Sequence, residues 1–138
     1  MQPQKITITA TISADKKKVW DYYSNPEHIT RWNFAHESWH CPSAENDLRV
    51  GGKMKSRMEA RDGSFGFDFI ATYTEIKDQQ KIVYVMEDGR GAEISFEDIG
   101  GKTKITITFL AESQNPVEMQ KQGWQAILDN FKKYTEEN

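Results

Sequence analysis

The sequence predicts an α+β fold in which a curved antiparallel sheet wraps around one long C-terminal helix. Between residues 53 and 109, apolar and polar residues alternate with a period of two, and short turn signals interrupt the alternation. The end of the chain instead carries apolar residues at three- and four-residue steps, the spacing of an amphipathic helix. Such a helix has to bury its apolar stripe, and the concave face of the sheet is the only partner large enough to cover it.

A strand and two short helices precede the meander of strands. Residues 6–12 alternate isoleucine or alanine with threonine, which indicates a strand. We expect Ser13 to cap a helix over residues 14–24, which carries one apolar stripe and lysines elsewhere. The Asn-Pro pair at positions 25–26 predicts the start of a second helix, because asparagine caps helices and proline suits the first helical position. This helix is predicted to end near Trp32.

Residues 33–50 give few periodic signals. We interpret them as a loop that leads into a short strand around Leu48 and Val50. The Gly-Gly pair at positions 51–52 then predicts a bulge or a tight turn. Five strands follow from Lys53 onward, and the turn signals that separate them are Asp62-Gly63, residues 78–81, Asp88-Gly89 and Gly100-Gly101.

The last helix is the clearest element of the sequence. Its predicted start is Asn115-Pro116-Val117-Glu118, which resembles a cap, a proline at the first position and a glutamate closing a capping box. It would extend over about 20 residues, or about 30 Å. Its apolar stripe consists of Val117, Gln120, Trp124, Ile127, Leu128, Phe131 and Tyr134 or Thr135.

Gly123 stands inside this predicted helix. Glycine costs a helix about 1 kcal/mol relative to alanine. A close approach of the helix to the sheet, space left for a ligand, or a simply tolerated glycine would each explain the residue.

Length and composition limit the classes of protein that fit. The 138 residues are a common size for one domain, and no stretch reads as a linker, so we expect a single domain over residues 1–138. The net charge of −3 gives no electrostatic footprint for nucleic acid. Cys41 is the only cysteine, which excludes an intramolecular disulfide. The N-terminus lacks the apolar core of a signal peptide and no run could span a bilayer, so we expect cytoplasmic residence without membrane insertion.

Four segments of the chain carry a family resemblance. They are SADKKKVWDYYSNPEHITRW, DLRVGGKMKSRM, FDFIATYTEI and GWQAILDNFKKYTEE. In this order and spacing they resemble the C-terminal domain of the activator of the heat-shock-protein-90 ATPase, a member of the superfamily that includes START domains, polyketide cyclases and the birch pollen allergen. The resemblance implies the helix-grip fold. It also implies that relatives bind lipids, sterols or polyketides, catalyse cyclisation, or regulate chaperones in the stress response, and fold analogy does not choose among these roles.

A gap between the sheet and the helix that it grips would be a natural ligand cavity. Flexible methionines and aromatic rings suit an adaptable apolar site. The alternative is that the same side chains simply fill the core. The candidate ligand-binding residues are Trp32, Phe34, Trp39, Met54, Met58, Phe67, Phe69, Tyr84, Phe96, Trp124, Leu128 and Phe131.

The sequence offers little for catalysis or metal binding. His36, His40 and Cys41 lie together, but the segment does not read as a helix and no second pair of ligands follows, so we assign no metal and no cofactor. Alternation directs Asp68 away from the cavity, and a bulge that reversed this register would make it an acid–base candidate. No catalytic residue is assigned.

Three functions remain in view. The first is a non-enzymatic carrier or sensor for a small hydrophobic or aromatic molecule such as a lipid, sterol, flavonoid or polyketide. The second is a chaperone-associated interaction protein, as the resemblance implies. The chain begins within a few residues of its first strand, so we expect no additional N-terminal domain of the kind that accompanies that role. The third is a cyclase, hydrolase or dehydratase, which would need inward polar groups such as Ser56, Tyr73 and Tyr84.

Overall fold

The computed structural model describes residues 4–138 and confirms the predicted α+β fold. A curled sheet of seven strands holds a long C-terminal helix, and two short helices lie between the first and second strands. In chain order the elements are β1 Lys5–Ile12, α1 Lys16–Ser24, α2 Pro26–Trp32, β2 Trp39–Asn46, β3 Lys53–Ala60, β4 Gly66–Lys77, β5 Lys81–Met86, β6 Gly91–Ile99, β7 Lys102–Leu110 and α3 Val117–Glu137. This is the helix-grip arrangement.

The sheet has the order β1-β7-β6-β5-β4-β3-β2, and every neighbouring pair is antiparallel. The first strand therefore lies beside the last, while the intervening strands run outward as a meander. The register sets apolar residues opposite one another on the concave face. Ile107 of β7, for example, lies between Ile8 of β1 and Ile94 of β6, and all three are buried. Antiparallel pairs that are buried on one face show this alternation in sequence.

Helix α3 closes the concave face with the second half of its stripe. Leu128, Phe131 and Thr135 are buried, whereas Trp124 is half-buried. The ring of Phe131 meets Trp32 of α2 edge to face, with centroids 4.8 Å apart, and Tyr23 of α1 at 5.2 Å. One aromatic side chain thus joins all three helices. None of the helices within the described residues is both long enough and apolar enough to cross a membrane.

The predicted strand around Leu48 and Val50 is wrong, because both residues lie in the turn between β2 and β3. The real strand, β2, occupies Trp39–Asn46, which the sequence led us to interpret as loop. A register shift between His40 and Ser43, on either side of a proline, removes the period of two that would have identified it. The Gly-Gly turn is confirmed. A Cβ at Gly52 would lie 2.1 Å from the Asp47 backbone oxygen, so glycine is required there.

The helix starts differ from the predictions at two of three places. Asp15, not Ser13, caps α1, because its Oδ1 accepts a hydrogen bond from the Lys18 backbone nitrogen at 2.9 Å. The cap of α2 by Asn25 is confirmed, since Asn25 Oδ1 accepts from the Glu27 backbone nitrogen at 3.0 Å.

The capping box predicted for α3 is wrong. Pro116 occupies the N-cap position and makes no side-chain cap bond. The Gln120 side chain ties this turn instead: its Oε1 accepts from the Glu112 backbone nitrogen at 2.9 Å, and its Nε2 donates to the backbone oxygens of Glu112 and Asn115. The polar residue of the predicted apolar stripe therefore fixes the entry to the helix.

Gly123 has open space around it. A Cβ added there would meet no atom within 4 Å, so a close approach to the sheet does not explain this glycine. Replacing Gly123 with alanine should raise the free energy of unfolding by about 0.5–1 kcal/mol, because alanine has the higher helix propensity and restricts the unfolded chain. Urea denaturation with an unchanged m-value would measure the gain. A loss of stability would show that the added methyl group meets a neighbour.

Candidate functional site

A cavity of about 200 Å³ lies between the middle of the sheet and the middle of α3. Strands β3, β4, β5 and β7 supply its floor, and the ends of α1 and α2 supply one wall. The residues that line it are Tyr23, Ser24, Ile29, Trp32, Asn33, Asn46, Met54, Met58, Phe67, Phe69, Tyr73, Ile82, Tyr84, Ile107, Trp124, Ile127 and Leu128. Most of these side chains are apolar, and none of the described lining residues carries a charge.

The pairing of β3 with β4 places the floor residues. Met58 lies directly opposite Phe67, and both point to the concave face because side chains that face each other across an antiparallel pair share one side of the sheet. From the helix, Trp124 reaches toward this half of the sheet. Its ring stacks on Phe109 of β7, with centroids 3.8 Å apart and planes 13° apart, and meets Phe69 of β4 edge on at 6.4 Å. Trp124 therefore forms the wall between the filled core and the cavity.

The structure places the candidate ligand-binding residues in two groups. One group lines the cavity and consists of Trp32, Met54, Met58, Phe67, Phe69, Tyr84, Trp124 and Leu128. The other group does not line it and consists of Phe34, Trp39, Phe96 and Phe131. Phe96 and Phe131 are buried in the core instead. Contact of any of these residues with a ligand stays a prediction.

Trp39 lies at the edge of the concave face, beyond the cavity. It is opposite Ala60 of β3, and its ring is 5.9 Å from that of Phe65 and 6.1 Å from that of Phe67. We call Trp39, Phe65 and Phe67 the aromatic cluster. Phe65 is 63% exposed and Phe67 43% exposed, so the cluster continues the apolar surface of the cavity out to solvent. Phe34 is separate from it and lies 6.0 Å from the Arg61 guanidinium.

Sequence reasoning identified Tyr73 and Tyr84 as inward polar residues but missed Asn46 and Tyr23. Asn46 was hidden in a segment interpreted as loop, and Tyr23 was treated as a residue of an ordinary helical stripe. In the structure the Tyr73 hydroxyl donates to Asn46 Oδ1, and Asn46 Nδ2 donates to the Ser24 backbone oxygen at 2.6 Å. This chain of bonds, which we call the asparagine latch, joins β4, β2 and the end of α1 beside the cavity. An isolated asparagine between polar neighbours gives no sequence signal for such a role.

Ionisable groups outside the cavity are engaged elsewhere. Asp68 lies on the outer face of the sheet, where its Oδ1 is 3.5 Å from Arg57 Nη1. His36 contacts Ser38, and His40 lies 3.6 Å from Glu59. The described residues contain no group of three or more side chains arranged to hold a metal ion.

Cys41 is a buried thiol that donates to the Ser43 backbone oxygen at 3.4 Å. Burial raises the pKa of this thiol, while hydrogen bonds with Ser56 and Ser43 act in the opposite direction. A cysteine needs a lowered pKa and access to act as a nucleophile. The environment of Cys41 is that of an inert core thiol, and no support for covalent catalysis comes from it.

Comparison with known proteins agrees with this architecture. An AHSA1-like protein from Aeromonas hydrophila, solved by NMR, is 41% identical, with a TM-score of 0.92 over 97% of this chain and 93% of that one. A protein from Cytophaga hutchinsonii is 46% identical, with a TM-score of 0.84 over the same shares. A crystal structure from Chromobacterium violaceum shares the fold at 23% identity, with a TM-score of 0.87 over 97% of this chain and 99% of that one. A search of curated proteins found no match.

A sequence model of one protein family covers nearly the whole fold. It is described as Activator of Hsp90 ATPase homolog 1-like protein, and it matches residues 13–136, from the turn before α1 to the last turn of α3. The two similar structures above 40% identity cover the same elements. The chain therefore belongs to the family of Activator of Hsp90 ATPase homolog 1-like proteins.

Proposed function

We propose that this protein binds a small apolar molecule in the cavity between the sheet and α3, as a carrier or a sensor. The observation that carries the proposal is the composition of the wall: aromatic rings, methionines and branched aliphatic side chains, with a few polar groups and no charge among the described lining residues. Small-molecule sites in proteins are mostly apolar concavities with a few well-placed polar groups. The family's fold is one that carries hydrophobic ligands in other members, which supports the proposal without naming a ligand.

The volume limits the size of the ligand. An empty apolar cavity of about 150 Å³ accepts benzene. A cavity of about 200 Å³ therefore suits a molecule with one or two rings. A sterol, a flavonoid or a long fatty acid would have to extend past Phe67 onto the aromatic cluster, or widen the cavity.

A second candidate is contact with a chaperone, which the family description suggests. The observation in its favour is the exposed aromatic cluster, because tryptophan and phenylalanine side chains are enriched at the centres of protein interfaces. The cluster is continuous with the cavity through Phe67, so its exposure is equally well explained by ligand entry. Ligand binding accounts for both the cavity and the cluster, and we place it first.

Thermal denaturation against a compound panel tests the first candidate. The panel contains one- and two-ring aromatics, flavonoids, polyketide-like aromatics, sterols and fatty acids. A ligand present at 100 times its dissociation constant adds about 2.7 kcal/mol to the stability of the folded state. For a domain of this size we expect a rise in melting temperature of roughly 5–15 °C. The rise should grow with ligand concentration and occur with one chemical class.

Two variants separate cavity binding from surface binding. Phe69→Trp replaces a phenyl ring at the cavity wall with the larger indole ring, which should fill part of the cavity and abolish the shift. Val85→Phe adds an aromatic ring on β5, at a side chain that is 37% exposed and does not line the cavity, and should leave the shift unchanged. No shift with any compound would contradict ligand binding and favour the chaperone contact. A shift that survives Phe69→Trp would move the ligand out of this cavity.

A further inference from the structure

Three tyrosines are among the polar residues that line the cavity. Tyr23 reaches it from α1, Tyr73 from β4 and Tyr84 from β5. The rings of Tyr73 and Tyr84 meet edge to face with centroids 6.4 Å apart, and each residue is 3% exposed. Burial, and after it the neighbouring tyrosines, raises the pKa of Tyr23 and of Tyr84. The other polar residues of this mostly apolar wall are Ser24, Asn33 and Asn46.

Two of the three tyrosine hydroxyls have no partner within residues 4–138. The Tyr73 hydroxyl donates to Asn46, whereas those of Tyr23 and Tyr84 make no hydrogen bond to a described residue. The hydroxyls of Tyr23 and Tyr84 are not fully enclosed by protein. In the described part of the chain, the one polar side-chain atom that is both fully enclosed and without a hydrogen-bond partner is Thr135 Oγ1. Both hydroxyls therefore keep accessible surface, and both belong to residues that line the cavity. Buried tyrosine hydroxyls usually have a partner, and here the ligand would supply it.

The same wall disfavours an ionised ligand. No arginine, lysine or histidine is among the described lining residues. Two charged residues affect the pKa of the tyrosines: Asp47 acts on Tyr73, and Arg90 acts on Tyr84. Each is already engaged in an ion pair, Asp47 with Arg49 and Arg90 with Asp88. A carboxylate buried here would lose its hydration without gaining a countercharge. Burial raises the pKa of Tyr23, Tyr73 and Tyr84, so all three hydroxyls keep their protons and act as neutral donors.

We infer that the ligand of this cavity is an uncharged molecule of one or two rings whose ketone, ether or phenol oxygen accepts hydrogen bonds from Tyr23 and Tyr84. The inference rests on the proposed function, because it names the class of ligand for the same site. It goes further by excluding fatty acids and other carboxylates, which an apolar cavity alone would not exclude. The two donors fix the orientation of the ligand, and the surrounding rings and methionines recognise its hydrocarbon part.

Three probes of nearly equal size test the inference by calorimetry. They are 1-tetralone, which carries a ketone oxygen, tetralin, which lacks it, and 1-naphthoate, which is an anion. We expect tetralone to bind about tenfold more tightly than tetralin, and naphthoate to bind more weakly than either. Tyr84→Phe and Tyr23→Phe should each reduce the preference for tetralone to about threefold or less and leave tetralin binding unchanged, because each removes only a hydroxyl.

The control variant is Tyr22→Phe. Tyr22 lies on the same helix as Tyr23, does not line the cavity, and donates to the Asn138 backbone oxygen. It should leave all three affinities unchanged. Two outcomes would overturn the inference and leave the proposed function standing. One is equal binding of tetralone and tetralin to the unmodified protein, and the other is tighter binding of naphthoate than of either neutral probe. If none of the three probes binds and no compound of the panel raises the melting temperature, the proposed function fails and the inference falls with it. Because two variants probe the two donors separately, a failure of one to fold leaves the other to decide.

Discussion

Replacing Phe131 with alanine should lower the free energy of unfolding by about 3–5 kcal/mol, the largest loss that we expect from one substitution in this chain. Phe131 is fully buried in the second half of α3. Its ring contacts Trp32 and Tyr23, so its removal opens a void where all three helices meet. Rigid aromatic neighbours on different helices cannot collapse into that void without moving the helices apart. Urea denaturation followed by tryptophan fluorescence and by circular dichroism would measure the loss.

Trp124→Ala is the matched comparison on the same helix. Trp124 is larger than Phe131 but half-buried, and its ring stacks on one neighbour and borders the cavity. We expect a loss of about 2 kcal/mol, because part of its surface is already accessible in the folded protein. Met119→Ala, at a side chain that is 59% exposed, should change stability by about 0.5 kcal/mol or less. A larger loss at Trp124 than at Phe131 would mean that the helix is rotated about its axis relative to this structure.

That comparison shows where sequence reasoning about the helix stops. The three- and four-residue spacing places Trp124 and Phe131 on one stripe, and the structure confirms the stripe. Periodicity gives the face of a helix but not how the helix lies across a curved sheet. Here Phe131 meets the short helices and is fully buried, while Trp124 and Ile127 border an unfilled space. The burial of each residue on the stripe depends on this tertiary arrangement.

The sheet follows the same division. Strands β3 to β7 largely alternate and are joined by short turns, three of which contain glycine, so their order and their inward faces were predictable. Strand β2 was not, because Pro42 and the register shift beside it break the alternation at the edge of the sheet. Because β2 was not predicted, its contribution to the cavity wall was not predicted either. Without β2, Asn46 had no place beside the cavity, and the polar wall could not be assembled from the sequence.

The apolar part of the site was predictable, and so were the inward positions of Tyr73 and Tyr84. Met54, Met58, Phe67 and Phe69 occupy the inward positions of two regular strands, and alternation identifies such positions directly. Tyr23 is different, because it stands on a helical stripe that reads as ordinary core. Whether a hydroxyl on such a residue finds a protein partner or faces a cavity depends on atoms from distant segments. The chemistry that separates one ligand from another therefore emerges from the tertiary structure.

Replacing Asn46 with alanine should lower the free energy of unfolding by about 2 kcal/mol, through loss of the asparagine latch. The side-chain amide accepts from the Tyr73 hydroxyl and donates to the Ser24 backbone oxygen. Its removal leaves a donor on β4 and an acceptor at the end of α1 without their partner, in a part-buried place that water reaches poorly. Because these bonds tie strand β2 to α1 beside the cavity, we also expect faster hydrogen exchange of the backbone amides in β2 and at the end of α1.

A double-mutant cycle with Tyr73→Phe separates the latch from general damage to the strand. Once Asn46 is alanine, the Tyr73 hydroxyl has lost its partner, so removing it should cost about 1 kcal/mol less than in the unmodified protein. Glu45→Ala, at the exposed neighbouring position of β2, should change stability by about 0.5 kcal/mol or less. Additive losses for Asn46 and Tyr73 would contradict the latch. A positive coupling together with the faster exchange would mean that the side chains that shape the cavity wall also hold the edge of the sheet against the helices. A ligand that rearranges these bonds would then alter the stability of this edge.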